Sequence, residues 1–322
     1  MNSKHATGKV TAKNILTNES IGAFLIWLCI VLILSVWKGD TFLTMRNAMN
    51  LGRYASFYVM VGLGVLMIFM SGGMDMSLGA TMGMAGIVTA WLSKTGLPLP
   101  VVILAAIGVG LAIGGFNGYI IGYLQFPAFI ATLGSKQLVR GIINIVTKGY
   151  PINELGESFV KMGTGSLLGI PTPIWIAGLI AVITWYTLNQ TVFGRRVAAT
   201  GGNEQAARVS GINTRRTRIL AYMYGGALAG IAGMVLTARM SVGQTATGEG
   251  FELEAIAGAI IGGASAEGGK GTVIGTIFGI MVIYTVKNGM SLLSINAYWQ
   301  MAVQGAIILL AVFLDIMRRR QK

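Results

Sequence analysis

The sequence predicts an all-α fold, a polytopic membrane bundle of about ten transmembrane helices with an inverted repeat. Of its 322 residues, 54% are hydrophobic and only 11% are charged, whereas about a quarter of an ordinary soluble domain is charged. Several apolar runs reach the roughly 20 residues that a helix needs to cross a bilayer. The 47 glycines follow no collagen period, and small residues at this level favour close helix packing in lipid.

Ten apolar segments make up the predicted bundle. They cover approximately 21–37, 54–71, 75–93, 100–123, 127–147, 174–190, 218–237, 252–266, 272–288 and 298–316. The segments near 75 and 252 begin at acidic residues, and we expect them to be broken or re-entrant. Irregular backbone at membrane depth is tolerated only where protein or water covers it, so we expect these breaks inside the bundle.

The distribution of basic residues predicts the orientation of the segments. The net charge is +13, and 13 of the 24 lysines and arginines lie in the first 20 residues, in 195–218 and in the last five residues. Positive charge concentrates on the cytoplasmic side of membrane proteins, so both termini and the 191–217 loop are expected there, and no nucleic-acid partner is expected. The expected organisation is a cytoplasmic tail at 1–20, without a cleavable signal, and a transmembrane domain at 21–322. The 148–172 stretch then lies outside.

Simple counting excludes several kinds of catalytic or metal site. Cys29 is the only cysteine and His5 the only histidine, so Cys/His zinc sites and Ser–His catalytic pairs are not expected. The stretch GGASAEGGKGT at 262–272 resembles a phosphate-binding loop. However, Ala264 replaces the first glycine, and a glycine follows the lysine where the motif has Ser or Thr. We interpret it as a tight cytoplasmic turn, and we expect no cofactor and no metal in this chain.

A weak internal repeat links the two halves of the chain. Aligning MDMSLGATMG at 74–83 with LEAIAGAIIG at 253–262 pairs an acidic residue and two glycines in each half: Asp75 with Glu254, Gly79 with Gly258, and Gly83 with Gly262. A four-residue glycine ladder follows in each half, at Gly110, Gly114, Gly118 and Gly122 and at Gly271, Gly275 and Gly279. The predicted topology gives the halves opposite directions, an arrangement common in transporters, whose solute path lies at the repeat interface. The alternative is chance, because glycine is abundant.

Acidic and amide side chains in or beside the apolar segments are candidates for lining a solute path. They are Asp75, Asn117, Asn144, Gln244, Glu252, Glu254 and Asn288. A charge inside a bilayer costs at least ~2.5–3.5 kcal/mol, so it usually marks a path or a partner. The alternative is that the carboxylates cap free helix N–H groups and that the amides hydrogen-bond between helices. We expect no buried Lys or Arg pair for an anion, so the pattern favours a polar, uncharged solute.

One polar, arginine-flanked stretch at 194–213 separates two long hydrophobic blocks. It has the parts of a short capped helix: an entry at Gly201 and Gly202, a cap at Asn203, about two turns from Glu204 to Ser210, and a left-handed end at Gly211. The small side chains of Ala206, Ala207 and Val209 suit contact with another protein, and the flanking arginines suit lipid headgroups or an acidic partner. The alternative is an ordinary positive-inside loop. Such a loop needs no capped helix, so we predict a docking helix for a partner, with little other structure outside the membrane.

Several blocks of the sequence, in one collinear order, resemble the permease subunits of ribose/galactose-type ABC sugar importers. The blocks are FLTMRNAMN at 42–50, SGGMDMSLGA at 71–80, PAFIATLG at 127–134, IPTPIW at 170–175, FGRRVAATGGNEQAARVSGIN at 193–213, GEGFELEAIAGAIIGGASAEGGKGTVIGT at 248–276 and YWQMAVQGAIILLAVFLD at 298–315. The resemblance covers nearly the whole chain. It implies a permease domain at 21–322 in the bacterial inner membrane, working as a homodimer. It also implies a cytoplasmic ATPase with tandem domains, which holds ATP and Mg, and a periplasmic or extracellular sugar-binding protein.

The resemblance also implies a coupling helix within 201–212 that sits in a groove of the ATPase. Its implied contact residues are Gly201, Gly202, Asn203, Glu204, Ala206, Ala207, Arg208 and Gly211. The implied mechanism is alternating access, in which ATP closes the ATPases and moves this helix, and the implied solute is a monosaccharide such as ribose or galactose. Other interpretations stay open. One is an ABC permease for branched-chain amino acids or another small polar solute. Another is a secondary transporter with a titrating Asp75 or Glu254, while an intramembrane aspartyl enzyme has no supporting motif.

Overall fold

The structure, a computed structural model, describes residues 19–320, with side chains between 311 and 320 described only for Phe313 and Met317. The predicted tail at 1–20 lies outside the described residues apart from its last two, and so do the side chains of the basic C-terminal cluster. The described part of the chain forms thirteen helices and one two-stranded hairpin. The helices are α1 (Glu19–Phe42), α2 (Met45–Met70), α3 (Leu78–Lys94), α4 (Leu99–Gly122), α5 (Ala128–Thr147), α6 (Glu157–Thr164), α7 (Thr172–Gln190), α8 (Val192–Gly202), α9 (Glu204–Val209), α10 (Thr214–Met240), α11 (Phe251–Ile261), α12 (Val273–Leu292) and α13 (Ala297–Arg320). The hairpin pairs β1 (Ser166–Leu167) with β2 (Ile170–Pro171) in antiparallel register.

All ten predicted apolar segments coincide with helices, namely α1 to α5, α7 and α10 to α13. Within 19–320, six helices are long and apolar enough to cross a membrane: α1, α2, α4, α7, α10 and α12. The helical membrane bundle is therefore confirmed, while the count of ten crossings stays a prediction. Helix α11 has only 11 residues, about 16 Å at 1.5 Å per residue and about half of a ~30 Å hydrocarbon core. This length fits the expectation of a broken segment.

Helices α2 and α10 occupy the centre of the bundle. The apolar window of α2 is 89% buried and that of α10 is 67% buried, against 11% for α1. Helix α4 crosses α10 at backbone contact, because a Cβ at Gly110 or Gly114 would overlap a carbonyl of α10. The second ladder packs α12 on α11 in the same way, with Gly275 against Gly262 and Gly279 against Gly258. Both predicted glycine ladders thus serve close helix packing, as expected where helices cannot rely on a hydrophobic drive.

Two irregular segments enter the bundle, and each leads into a short helix. The segment 71–77 precedes α3, and the segment 241–250 precedes α11. The hydroxyl of Tyr222 bonds to the backbone of Met74. Tyr222 lies eight residues after Thr214, the first residue of α10, which is about 12 Å along that helix. The segment 71–77 therefore lies well inside the bundle, where protein covers its backbone.

The N-termini of α3 and α11 meet inside the bundle. Gly79 packs against the carboxylate of Glu252 and the carbonyl of Gly248. From this point α3 runs towards the C-terminal part of α10, where Gly86 contacts Thr237. Helix α11 runs the other way and ends at the turn beside α8, near the start of α10. Helices α3 and α11, called the two half-helices below, thus run in opposite directions, as the predicted inverted repeat requires.

The register predicted for the repeat differs from the register of the helix starts. Asp75 lies in the irregular segment before α3, whereas Glu254 lies in the first turn of α11. The alignment matched glycines, and glycine is frequent enough in both halves to support more than one register. The correspondence between halves therefore lies in the half-helices and their directions rather than in the pairing of Asp75 with Glu254.

The chain has more structure outside its apolar segments than the sequence suggested. The 191–217 stretch contains two helices, α8 and α9, where one was expected. Helix α8 forms because Thr191 caps it by accepting the N–H of Gly194 at 3.1 Å and because Val197 is fully buried. The 148–172 stretch holds α6 and the hairpin, so it is folded rather than a plain loop.

Candidate functional site

Helix α5 carries a ladder of polar side chains that faces the two half-helix starts. Thr132, Lys136 and Arg140 recur every four residues, so they share one face of the helix. The hydroxyl of Thr132 accepts the N–H of Met76 at 3.0 Å. One turn further, the ammonium of Lys136 lies 2.5 Å from the carboxylate of Glu252. The ladder therefore contacts α11 and the segment that leads into α3.

Arg140 ties the two broken regions together through their backbones. Its guanidinium donates to the carbonyl of Gly79 at 3.2 Å, of Thr245 at 2.7 Å and of Thr247 at 2.8 Å. Thr245 and Thr247 lie in the irregular segment before α11, where carbonyls have no helix partners and need another donor, whereas Gly79 lies in the first turn of α3. Lys136 and Arg140 were not among the residues expected from the sequence at this site. Both are half-buried and already engaged, by Glu252 and by carbonyls, so the expectation of no buried Lys or Arg pair for an anion stays a prediction. Two basic residues four apart in the apolar segment 127–147 were the signal that was available.

Asp75 organises the turn before α3. Its Oδ1 accepts the N–H of Ser77 at 2.7 Å and the hydroxyl of Ser77 at 2.6 Å. The amide of Asn117 on α4 donates to the Ser77 hydroxyl at 2.8 Å and to Asp75 Oδ2 at 3.4 Å. All three side chains are buried. Asp75 thus satisfies the N–H of Ser77, the residue just before α3, whereas no side-chain cap bonds the first N–H groups of α3 itself. The expected capping by Asp75 therefore stays a prediction.

Glu252 is a fully buried carboxylate at the start of α11. One oxygen pairs with Lys136, and the other, Oε2, has no hydrogen-bond partner among the described residues. Gly79 is required beside it, because a Cβ at that position would overlap Oε2. Negative charge is favoured at a helix N-terminus. Glu252 therefore opposes the dipole of α11 and at the same time holds α5 against it.

Glu254 belongs to a second pair on the other side of α11. Its carboxylate lies 3.0 Å from the ammonium of Lys287 on α12. Lys287 also lies over the rings of Tyr58 and Tyr284, at 5.9 and 5.6 Å from their centroids. The expected backbone capping is not the role of Glu252 or Glu254, because both bind lysines instead.

The remaining predicted path residues do not join this centre. Asn144 and Gln244 are exposed. Asn288 exchanges side-chain hydrogen bonds with Asn47, at 2.8 and 3.1 Å. The structure thus brings together Asp75, Asn117 and Glu252 and leaves these three amides elsewhere. An amide beside an apolar run is too common a signal to tell an inner helix face from an outer one.

The short helix α9 has the predicted capped form. Asn203 Oδ1 accepts the N–H of Ala206 at 2.9 Å, which is an N-cap bond. Gly211 has a φ of +82°, and the N–H of Ile212 donates to the carbonyl of Ala207 at 3.0 Å. These bonds satisfy backbone groups at both ends of a helix only six residues long.

Glu204 fixes α9 to the central helix α10. Its carboxylate lies 2.6 Å from Arg208 and 2.8 Å from Arg218, and it accepts the hydroxyl of Thr214 at 3.2 Å. Partial burial raises the pKa of the Glu204 carboxyl, but the hydrogen bonds and charges of Arg218 and Arg208 outweigh it, so the pKa lies below its ordinary value of 4.5. Glu204 is therefore ionised at neutral pH and holds the helix in place.

The outer face of α9 is open. Val209 is 91% exposed and Ala206 is exposed. At Gly202, the last residue of α8, an added Cβ would meet no described atom within 4 Å. Ala207 is buried by the chain itself, at 4% exposure. Helix α9 therefore turns Ala207 towards its own chain and Val209 away from it.

The glycine-rich turn at 262–272 packs beneath this region. The N–H of Gly269 donates to the carbonyl of Met70 at 3.2 Å, and Gly268 lies against Gly201 at backbone distance. Gly268 has a φ of +112°, which a side chain would strain. The glycines are thus explained by close backbone packing in a tight turn, as expected.

Comparison with known proteins identifies the family. Residues 47–312 match the family described as branched-chain amino acid transport system / permease component. The chain belongs to this permease family. The ribose import permease protein of Escherichia coli K12 is 37% identical over 305 residues, 94% of each chain. The D-allose transport system permease protein of the same organism is 34% identical over 298 residues, 92% of this chain and 91% of that one. Its xylose transport system permease protein is 30% identical, over 90% of each chain. No solved structure matches the chain.

Proposed function

We propose that this permease imports a monosaccharide and is driven through helix α9 by a cytoplasmic ATPase. The observation that carries the proposal is the geometry of α9. A capped helix presents Val209 outward while Glu204 anchors it to α10, a central helix of the bundle. A short rigid helix of this kind transfers displacement, because its anchor ties it directly to the core.

The relatives favour a sugar over an amino acid. The family description names branched-chain amino acids, whereas the relatives at 30–37% identity over most of both chains carry the names of ribose, D-allose and xylose permeases. The charges at the centre of the bundle support the same choice. Glu252 is paired with Lys136 and Glu254 with Lys287, so a lysine already balances the charge of each carboxylate and no unbalanced charge of this pair of sites attracts the ammonium group of an amino acid.

The proposed assembly contains two copies of this permease, an ATPase with tandem domains and a sugar-binding protein on the outer face. Both termini and α9 lie on the cytoplasmic side, as the basic residues predict. ATP and Mg bind to the ATPase, and the arginines around α9 face lipid headgroups or acidic groups of that partner. Transport follows alternating access between two states of similar free energy, which the partner contacts bias.

Uptake by proteoliposomes tests the choice of solute. The permease is reconstituted with its ATPase and binding protein, ATP is enclosed on the cytoplasmic face, and labelled D-ribose, D-allose, D-xylose and L-leucine are offered separately. We expect ATP-dependent accumulation of one of the sugars and none of leucine. Accumulation of leucine alone contradicts the proposed solute class.

Exchange of one exposed side chain tests the docking of α9. Val209→Asp places a charge on the proposed contact, and Val209 touches little of its own chain, so the bundle stays folded. Leu168→Asp is the matched control, because Leu168 is 85% exposed at the tip of the hairpin, at the opposite end of the bundle. We expect Val209→Asp to release the ATPase in a co-purification assay and Leu168→Asp to retain it. Equal retention of the ATPase by both variants contradicts the docking.

A further inference from the structure

Tyr222 joins the central helix α10 to the broken segment 71–77. Its side chain is fully buried. The hydroxyl donates to the carbonyl of Met74 at 2.9 Å and accepts the N–H of Met74 at 3.1 Å. Gly73 leaves room for the ring, since a Cβ there would lie 2.6 Å from the hydroxyl oxygen. One phenol group therefore satisfies both backbone polar groups of Met74, a half-buried residue that lies outside any helix or strand.

The position of Tyr222 on α10 is fixed by α4. A Cβ at Gly118 would lie 3.2 Å from the Cβ of Tyr222, and Gly114 packs directly on the Tyr222 carbonyl. Backbones in such close contact move together, because packed interiors transmit displacement rather than absorb it. Asn117, on the same helix α4, bonds to Asp75 and Ser77. Helices α10 and α4 thus hold the irregular segment from two sides.

The cytoplasmic end of α10 is bonded to α9. Arg218 lies one helical turn before Tyr222 and pairs with Glu204 at 2.8 Å. A continuous series of contacts therefore leads from α9 through Arg218 and Tyr222 to Met74. Met74 precedes Asp75, whose carboxylate bonds the N–H of Ser77 immediately before α3. The series connects the surface proposed to meet the ATPase with the place where the two half-helices meet.

We propose that Tyr222 is a positioning residue that transmits the movement of α9 to segment 71–77 during transport. The proposal rests on the docking of α9 described above. A shift of α10 moves the Tyr222 hydroxyl, and Met74 follows because both of its backbone polar groups are bonded to that oxygen. Without the hydroxyl, the backbone of Met74 loses its bond to α10, while Asn117 still holds only Asp75 and Ser77. ATP hydrolysis then continues and transport per ATP falls.

Hydrogen–deuterium exchange on the assembled complex tests the proposal. Tyr222→Phe keeps the ring and removes only the hydroxyl. Tyr224→Phe is the matched control, because the hydroxyl of Tyr224 is 2.8 Å from that of Thr184, so this change removes a tyrosine hydrogen bond on the same helix but towards α7. Exchange is measured at 71–77 and at 201–212 in the permease alone and in the complex, with the ATPase empty and with its nucleotide trapped by vanadate.

We expect binding of the ATPase to protect 201–212 in the wild type and in both variants. Nucleotide trapping changes exchange at 71–77 in the wild type and in Tyr224→Phe, but not in Tyr222→Phe. The basal exchange of the Met74 amide rises about 2- to 13-fold in Tyr222→Phe, since it loses one neutral hydrogen bond. Solute transported per ATP hydrolysed falls in the same variant only, with ribose, allose and xylose as probes.

A nucleotide response of wild-type size at 71–77 in Tyr222→Phe overturns the proposal while leaving the docking intact. Absence of protection at 201–212 in the wild type overturns the docking itself and removes the input to Tyr222. If Tyr222→Phe does not assemble, Arg218→Gln is measured instead, because it breaks the same series one turn earlier. Retention of the 71–77 response in a folded Arg218→Gln complex likewise overturns the proposal.

Discussion

Replacing Lys136 by Met tests whether its pair with Glu252 holds the two half-helices in place. Glu252 is fully buried, and the Lys136 side chain is 22% exposed. Removing one partner of a buried ion pair costs about 3–5 kcal/mol, because the other charge stays buried. We expect the lower end, about 3 kcal/mol, because Arg140 lies close enough to interact with the charge of Glu252.

This free energy converts to a measurable fall in melting temperature. Unfolding entropy is about 2.1 cal/mol/K per residue, which gives about 0.7 kcal/mol/K over the 322 residues. The loss of about 3 kcal/mol therefore lowers the Tm by about 4 °C. The assay is thermal unfolding of the purified permease in detergent, followed by tryptophan fluorescence.

Two controls complete this experiment. Lys94→Met removes a pair with Glu154 in which both side chains are well exposed, at 47% and 82%, so we expect an unchanged Tm. The double variant Lys136→Met/Glu252→Gln removes both charges, and we expect it to recover most of the loss. A Tm for Lys136→Met equal to that of Lys94→Met refutes the reasoning, and so does a double variant that is no more stable than the single one.

Three further predictions follow from the same geometry. Gly79→Ala places a methyl group against the Glu252 carboxylate. Such overpacking costs about 1–3 kcal/mol, so we expect both the Tm and sugar uptake to fall. Gly134→Ala is the control, because Gly134 faces open space, and we expect it to retain both. Asn203→Ala removes the cap of α9, worth about 1 kcal/mol, so amide exchange at 204–209 rises several-fold, and Asn203→Asp restores protection. The lowered pKa of Glu204 means that its contribution to holding α9 is present above pH 4.5 and is lost as the pH falls through the lowered value. Exchange at 204–209 should therefore rise only in strongly acidic buffer in the wild type, and a rise already at pH 6 contradicts the ion-pair account.

Much of the fold was predictable because each element has a local cause. Long apolar runs fix where the helices lie, and the glycine ladders fix which faces pack closely. The cap and end of α9 follow from Asn203 and Gly211, whose side chain and conformational freedom act within a few residues. The breaks before α3 and α11 were also indicated, because an acidic residue at the edge of an apolar segment needs a partner.

The tertiary partners were not predictable from one sequence. Lys136 and Arg140 meet groups more than 50 positions away in the chain, and only the fold brings them together. Asn144 and Gln244 resembled path residues in the sequence, yet both are exposed, because an isolated amide carries no information about which face is inner. Helix α8 was not predicted, because its glycines have low helix propensity and its arginines are typical of a loop beside the membrane. The capping bond of Thr191 was not recognised in that stretch.

Reconstitution of this chain with and without its ATPase tests the central claim most directly. Proteoliposomes that contain the permease and the binding protein are given a proton or sodium gradient, and a parallel set receives the ATPase and ATP. We predict uphill accumulation of ribose, allose or xylose only in the second set. Uphill accumulation by the permease under an ion gradient alone contradicts it.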